Sequence, residues 1–534
     1  MLAADETAGE RGVTGKVDFL KRRAGLLLSP TALRSERDCG VGDLGAMPSL
    51  FSWMEEAGLS VLQLLPLNDL PPDGACPYSG VSAFALDPVL VALENVPEIR
   101  DSPALAGDVE RWRASPAGVA ARRRRRADFA TVRAFKLRML EHAFALFRER
   151  QDPARAKEFQ AFREREADWL GDYALFRAIK ALRDWETWRE WPAGLRDRDP
   201  QELAAFAERH GEMIAFFEFL QWIVHGQWQA VRRSAAERGI LLFGDIPFGL
   251  NFEAADIWAR AAEFDLNASM GAPPDQFSET GQAWGLPAYR WAAMEAGGHA
   301  WWRSRARRAA ELYDLFRIDH VIGVFRTWVI PDGGQAGRFD LPDEGQARAR
   351  GERFLRMIVE ESGRARPVAE DLGVIPPWAR EVLQSLGVPG YKVARWERRN
   401  DGYWHPRDFP PLTVANLSNH DTSTLAGWWG EISPLERERY WEMVTARRET
   451  PPRFGPPAQE TLLANLYEAG SALVVVPFQD AVRSRARVNV PGTVNGRNWT
   501  YRIPWNVESL AQARRARDGA ALLRRLAETT GRRA

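Results

Sequence analysis

Five stretches of this chain place a carboxylate at or just after the end of an apolar run. Ile240–Phe243 leads into Gly244-Asp245, and Leu315–Phe316 into Arg317-Ile318-Asp319-His320. Pro367–Ala369 leads into Glu370-Asp371, Thr413–Leu417 into Asn419-His420-Asp421, and Ala472–Val476 into Gln479-Asp480. Arg317 and Asp319 are two residues apart, so on a strand they share a face. A guanidinium beside a carboxylate keeps it ionised, as a nucleophile requires. Glu370 follows apolar residues, and partial burial there would raise its pKa, as a general acid requires. One ionised and one protonated carboxyl group are what retaining glycoside chemistry needs. Each of these acids taken alone fits a structural ion pair equally well. Their repetition at successive run ends singles them out.

Something must bring these ends together. Eight short apolar runs recur: Gly25–Leu28, Val61–Leu65, Ile240–Ile246, Leu315–Ile318, Pro367–Ala369, Tyr391–Ala394, Thr413–Leu417 and Ala472–Val476. Helix-like stretches such as Leu44–Ala57 and Pro376–Leu386 separate most of them. Strands buried on both faces and alternating with helices predict an α/β fold, a (β/α)8 TIM barrel, with its chemistry at the C-terminal strand ends. Residues from about 97 to 238 carry no strand signal but do carry helical periodicity: Leu137, Leu140, Phe144 and Phe147 on one face, and Met213, Phe216, Phe217, Leu220 and Val224 on another. The expected organisation is an N-terminal tail (1–20), a catalytic barrel (21–505) interrupted by this mainly helical insertion, and a C-terminal helical tail (506–534). No separate C-terminal β-domain is expected. Asp265–Tyr289, rich in Gly, Pro and Ser, reads as a strand-poor loop insertion over the C-terminal rim.

Composition removes other classes. The 534 residues carry 72 basic and 72 acidic side chains, and the zero net charge argues against binding nucleic acid through phosphate neutralisation. Arg122–Arg126, a run of five arginines, reads as a solvated helix face or loop. Two cysteines and seven scattered histidines offer no disulfide framework and no metal-ligand spacing. No apolar run is long enough to span a membrane, and Met1–Gly15 is polar without a signal-peptide core, so a cytoplasmic location is expected. The 22 tryptophans are mostly core residues by expectation, with a slight lean towards sugar platforms.

With these residues in view, the chain resembles the 4-alpha-glucanotransferases (amylomaltases) of glycoside hydrolase family 77, from about Ala24 to Trp505. The resemblance rests on ordered blocks: Cys39–Gly45, Gln63–Pro66, Pro77–Pro88, Gly244–Pro247, Ala255–Trp258, Pro273–Trp291, Arg317–His320, Ala369–Gly373, Gly390–Val393, His420–Thr422 and Asn489–Thr493 with Asn498-Trp499. It implies transfer of an α-1,4-glucan segment to the 4-hydroxyl of another glucan or of glucose by a retaining double displacement. The alternative is an amylase-like hydrolase on the same scaffold. Asp319 then corresponds to the nucleophile, Glu370 to the acid/base, and Asp421 to the acid that holds substrate hydroxyls. Tyr78, Asp245, Phe277, Arg317 and His420 correspond to substrate-binding residues. Pro273–Tyr289 resembles the family's lid loop, although Gln276 stands where a tyrosine is frequent. Maltooligosaccharides or other α-1,4-glucans are the implied partners, with no metal, no cofactor, no nucleic acid and no membrane.

Overall fold

The computed structural model describes residues 16–274, 281–333, 336–400 and 402–533. All eight apolar runs form strands, each within two residues of its sequence bounds. They are β1 (Arg23–Leu27), β2 (Val61–Gln63), β3 (Leu241–Ile246), β4 (Leu315–Ile318), β5 (Arg366–Ala369), β6 (Gly390–Val393), β7 (Thr413–Asn416) and β8 (Leu473–Pro477). They pair in parallel in the order β6-β7-β8-β1-β2-β3-β4-β5, a near-closed TIM barrel. Their inward side chains, among them Leu27, Val61, Phe243, Leu315, Val368, Val414 and Leu473, fill the interior. Gln63 Nε2 and Tyr391 Oη satisfy each other there, the amide donating to the hydroxyl at 2.9 Å. At the N-terminal end, Val17 and Phe19 pack beneath the strands, and the Val17 N–H donates to the Arg364 carbonyl at 3.1 Å.

Closure happens between β5 and β6. Among the described residues the two strands meet through one backbone bond, Ala369 N–H to Pro389 O at 2.8 Å. Pro389 has no N–H to return. The Tyr391 N–H is taken instead by the Asp371 carboxylate at 2.6 Å. That carboxylate also requires glycine at position 390, where a Cβ would lie 2.7 Å from Asp371 Oδ1.

Residues between Pro97 and Glu237 are helical, with no strand among them. The longer helices are Pro103–Ala114, Phe129–Arg150, Pro153–Arg165, Leu170–Leu182 and Pro200–Glu237. Their starts are set locally: Ser102, Asp128, Asp152 and Asp199 accept from the first-turn N–H groups, and proline opens three of the five. Pro200–Glu237 breaks its helical geometry at His210. Its later part lies on the barrel, with Trp228 buried and its indole N–H donating to the Leu312 carbonyl at 3.1 Å.

The stretch 265–289 is not strand-poor. Phe264–Ala272 and Gln282–Tyr289 pair antiparallel, and Trp328–Pro331 and Arg338–Phe339 extend them into a four-stranded sheet above the barrel rim. The strands escape sequence patterning for two physical reasons. They are irregularly paired, with register shifts between Asp265 and Ser269 and between Met270 and Gly271. Their glycines serve close approach as well as turning: a Cβ on Gly271 would collide with the Gln282 carbonyl.

After β8 the last helix, Arg514–Thr529, packs on Met47–Glu56, where the Trp53 indole donates to the Ala516 carbonyl at 3.3 Å. Arg532 is fully buried and donates to the Tyr467, Ala469, Ser471 and Ala472 carbonyls. Among the described residues no helix is long and apolar enough to cross a membrane.

Candidate active site

Asp319 is the first residue beyond β4, and its N–H is held by the Ile246 carbonyl on β3 at 3.2 Å. Arg317, inside β4 and buried, places Nη2 at 2.7 Å from Asp319 Oδ1 and Nη1 at 2.9 and 3.0 Å from the two oxygens of Asp245 on β3. Burial opposes the charge on Arg317, but the Asp245 and Asp319 carboxylates hold its pKa well above the ordinary guanidinium value. The same Nη2 lies 3.9 Å from Glu370 Oε2, at the end of β5. One nitrogen therefore faces both carboxylates, and their oxygens are separated by less than the sum of those two distances. This lies at most at the lower edge of the roughly 6.5–9.5 Å that makes room for a water in inverting enzymes.

The two carboxyl groups differ in environment. Glu370 is largely buried, and its Oε2 accepts the His320 N–H at 2.8 Å. Burial, reinforced by the Asp319 charge against the pull of Arg317, pushes Glu370 up to about 8. Asp319 is more exposed to the cleft and carries the short guanidinium contact.

The third acid is built from the far side of the barrel. Asp421 follows β7, its Oδ2 is 3.3 Å from His420 Nε2, and its Oδ1 accepts from Asn489 Nδ2 at 2.7 Å. Burial in the cleft works against ionisation. The His420 ring and the Asn489 amide outweigh it and hold the Asp421 carboxyl well below the usual carboxylate range. His420 also meets the Tyr78 hydroxyl at 3.0 Å and stacks on the Tyr78 ring at 5.7 Å. That hydroxyl donates to Asp245 Oδ2 at 2.7 Å, which closes a chain Arg317–Asp245–Tyr78–His420–Asp421 around one side of the site. Burial pushes the Tyr78 hydroxyl well above its usual pKa, which keeps it a donor. Burial also raises Asp245.

Tyr78, Arg317, Asp319, Glu370 and Asp421 line an open cleft of about 560 Å³ together with Phe248, Trp284 and Trp499. His420 and Asp245 stand directly behind them through the bonds just described. Phe277 lies outside the described residues. Two acids expected at the rim do not serve the cleft. Asp371 caps Tyr391 and pairs with Arg380, while Asp480 is buried against Ser418 and the Leu425 N–H. Asn489, Trp499 and the His320 backbone were not assigned roles from sequence, and Trp284 was expected only as an aromatic of the lid stretch. Trp284 presents its edge to the His320 ring at 4.7 Å, and Trp499 lies 5.6 Å from Tyr78. The only signal for them was their place inside the recognised blocks, since none ends an apolar run. Among the described residues no group of three His, Cys, Asp or Glu side chains could hold a metal ion.

A sequence profile of glycoside hydrolase family 77, described as 4-alpha-glucanotransferase, matches residues 28–508. A 4-alpha-glucanotransferase of Thermus thermophilus is 35% identical over 511 residues, covering 91% of this chain and 95% of that protein. One from Synechocystis sp. is 33% identical, covering 90% and 94%. The solved amylomaltase from Streptococcus agalactiae, in complex with acarbose, superposes with a TM-score of 0.82 at 25% identity over 96% of this chain and all of that one. With its barrel, its cleft and its ordered acids, the chain belongs to the 4-alpha-glucanotransferases of glycoside hydrolase family 77.

Proposed function

We propose that the cleft transfers a segment of an α-1,4-glucan, such as a maltooligosaccharide, to the 4-hydroxyl of another glucan or of glucose by two successive displacements at C1. Glu370 gives its proton to the glycosidic oxygen as the Asp319 carboxylate attacks C1. The C1–O bond breaks, the shortened chain leaves with a free hydroxyl, and a glycosyl ester of Asp319 remains. The acceptor's 4-hydroxyl then loses its proton to Glu370 and attacks C1, which releases Asp319. Two inversions give retention.

The observation that supports this reading best is the shared Arg317 nitrogen, which sets a guanidinium-paired Asp319 beside a Glu370 pushed up to about 8. Asp421, acceptor-only and fixed by Asn489 and His420, is suited to substrate hydroxyls whose bonds strengthen as charge develops at C1. Tyr78, Asp245 and His420 fix that arrangement.

Transfer and hydrolysis share the glycosyl ester, so the products decide between them. On maltotriose, transfer conserves reducing ends and makes longer chains. The expected result is maltopentaose and glucose with a constant reducing-end count. A count that climbs in step with maltotriose consumption, without longer products, would identify a hydrolase.

A further inference from the structure

Arg122–Arg126 belongs to a larger arginine cluster that glycosyl transfer does not use. Arg126 bridges to Tyr501 and the Ala127 N–H donates to the Thr500 carbonyl, so residues 122–127 run beside 497–502. That second segment contains Trp499, which lines the cleft. Arg34 joins from beyond β1, donating to the carbonyls of Arg122 and Arg124.

The cluster's charge is not cancelled within the molecule. Arg124 pairs with Asp128 and Arg502 with Asp38. Arg34, Arg122, Arg123, Arg125, Arg126 and Arg497 have no carboxylate within 4.0 Å among the described residues. Three of these are anchored on neutral carbonyls: Arg34 as above, Arg122 on Glu36 at 2.8 Å, and Arg126 on Arg497 at 2.7 Å. A carbonyl fixes a guanidinium without neutralising it; Nε of Arg34 and of Arg122 is buried, so an outside anion meets the charge at their terminal nitrogens. The arginines also repel one another. Burial and the neighbouring Arg502 push Arg34 down to about 10, and burial with Arg497 lowers Arg126. In a protein of zero net charge this is a local excess that an arriving anion would relieve.

We infer that this cluster, at the edge of the cleft beside Trp499, binds a phosphate monoester carried on the glucan. The inference rests on the glucan reading of the cleft. Neutral sugar hydroxyls gain little from uncompensated guanidinium charge, whereas a phosphate monoester matches the guanidinium fork. A free sugar phosphate offers the same chemistry, and the test separates the two sources.

The experiment compares wild-type protein with an Arg123→Ala/Arg125→Ala double variant and an Arg497→Gln variant. The substrates are maltotriose, a phosphorylated maltodextrin and the same dextrin after phosphatase treatment. For the wild type, KM is expected to be about fivefold lower on the phosphorylated dextrin than on the treated one at low salt, and the gap is expected to close at roughly 0.3 M salt. The variants should lose that gap and keep wild-type turnover of maltotriose. Competition by glucose 6-phosphate would show that the site also takes the free monoester. Equal KM values on the two dextrins would overturn the inference, as would tighter binding of a duplex oligonucleotide than of the phosphorylated dextrin. Failure of the wild type to turn over maltotriose would instead strike the glucan reading.

Discussion

His320 donates its backbone N–H to Glu370 Oε2 at 2.8 Å from a left-handed backbone, with φ at +43°. A non-glycine residue pays about 1–2 kcal/mol for that conformation. The residue after Asp319 thereby orients the Glu370 carboxyl. The bond favours the ionised carboxyl and, with Arg317, opposes the burial and the Asp319 charge that push Glu370 up to about 8. Burial meanwhile pulls the His320 imidazole down to about 4, so the ring meeting Trp284 is neutral at neutral pH.

Replacing Glu370 by Gln keeps the shape and removes the proton. Turnover of maltotriose is expected to fall about 10²–10⁴-fold. A maltosyl fluoride donor, whose leaving group needs no proton, should retain most of its first-step rate, read as fluoride release. Equal losses on both donors would remove Glu370 from the acid role.

Asp319→Asn abolishes the covalent route. The expected loss in kcat is at least about 10³-fold, with the melting temperature as the control for folding. A folded variant with near-wild-type turnover would falsify the nucleophile assignment.

The raised Glu370 fixes two pH dependences. Turnover should fall as pH rises through about 8, where the acid loses its proton. Stability has the same sign. Between the unfolded glutamate value of about 4.3 and the folded value near 8, the native protein holds a proton that the unfolded chain has lost. Stability from this group is therefore complete below about pH 4 and is lost as pH rises to about 8. Glu370→Gln should melt above wild type at about pH 9, and the advantage should vanish at about pH 4, as thermal scans at the two pH values will report.

Asn489→Ala frees one oxygen of Asp421 without touching the other two acids. A hydrogen bond to a charged group contributes about 1.5–3 kcal/mol, so kcat/KM should drop about tenfold or more. An unchanged value would mean that Asp421 needs no such orientation.

Trp284→Ala and Phe277→Ser both act on the expected lid. Opening it admits water to the glycosyl ester and loosens the acceptor. The ratio of new reducing ends to longer products from maltotriose should rise in each variant. A proportional fall in both reactions would point to lost donor binding instead.

The barrel was legible because its strands are buried on both faces and spell continuous apolar runs, and the rim position of Asp319, Glu370 and Asp421 was legible because each follows such a run, while only the family resemblance set them apart from the other run-end acids. Asp371 and Asp480 occupy the same kind of position and turn to structural work. The residue after a strand end is constrained to the rim, but its side chain is free to cap a neighbour. Asn489 escaped because its role depends on a long return from β8 to β7, which no local pattern records. The rim sheet escaped because half-exposed, irregularly paired strands lack clean alternation.

The closure between β5 and β6 gives the barrel a mechanical fault line. Asp319 and Glu370 stand on the same plate of it, since Ile318 and Ala369 are register partners in the β4–β5 ladder. Asp421 stands on the opposite plate, beyond β6 and β7. The ladder that carries Asp319 and Glu370 therefore holds their spacing without help from the weakly bonded seam, and Asp421 is tied back to them through His420, Tyr78, Asp245 and Arg317 rather than across it.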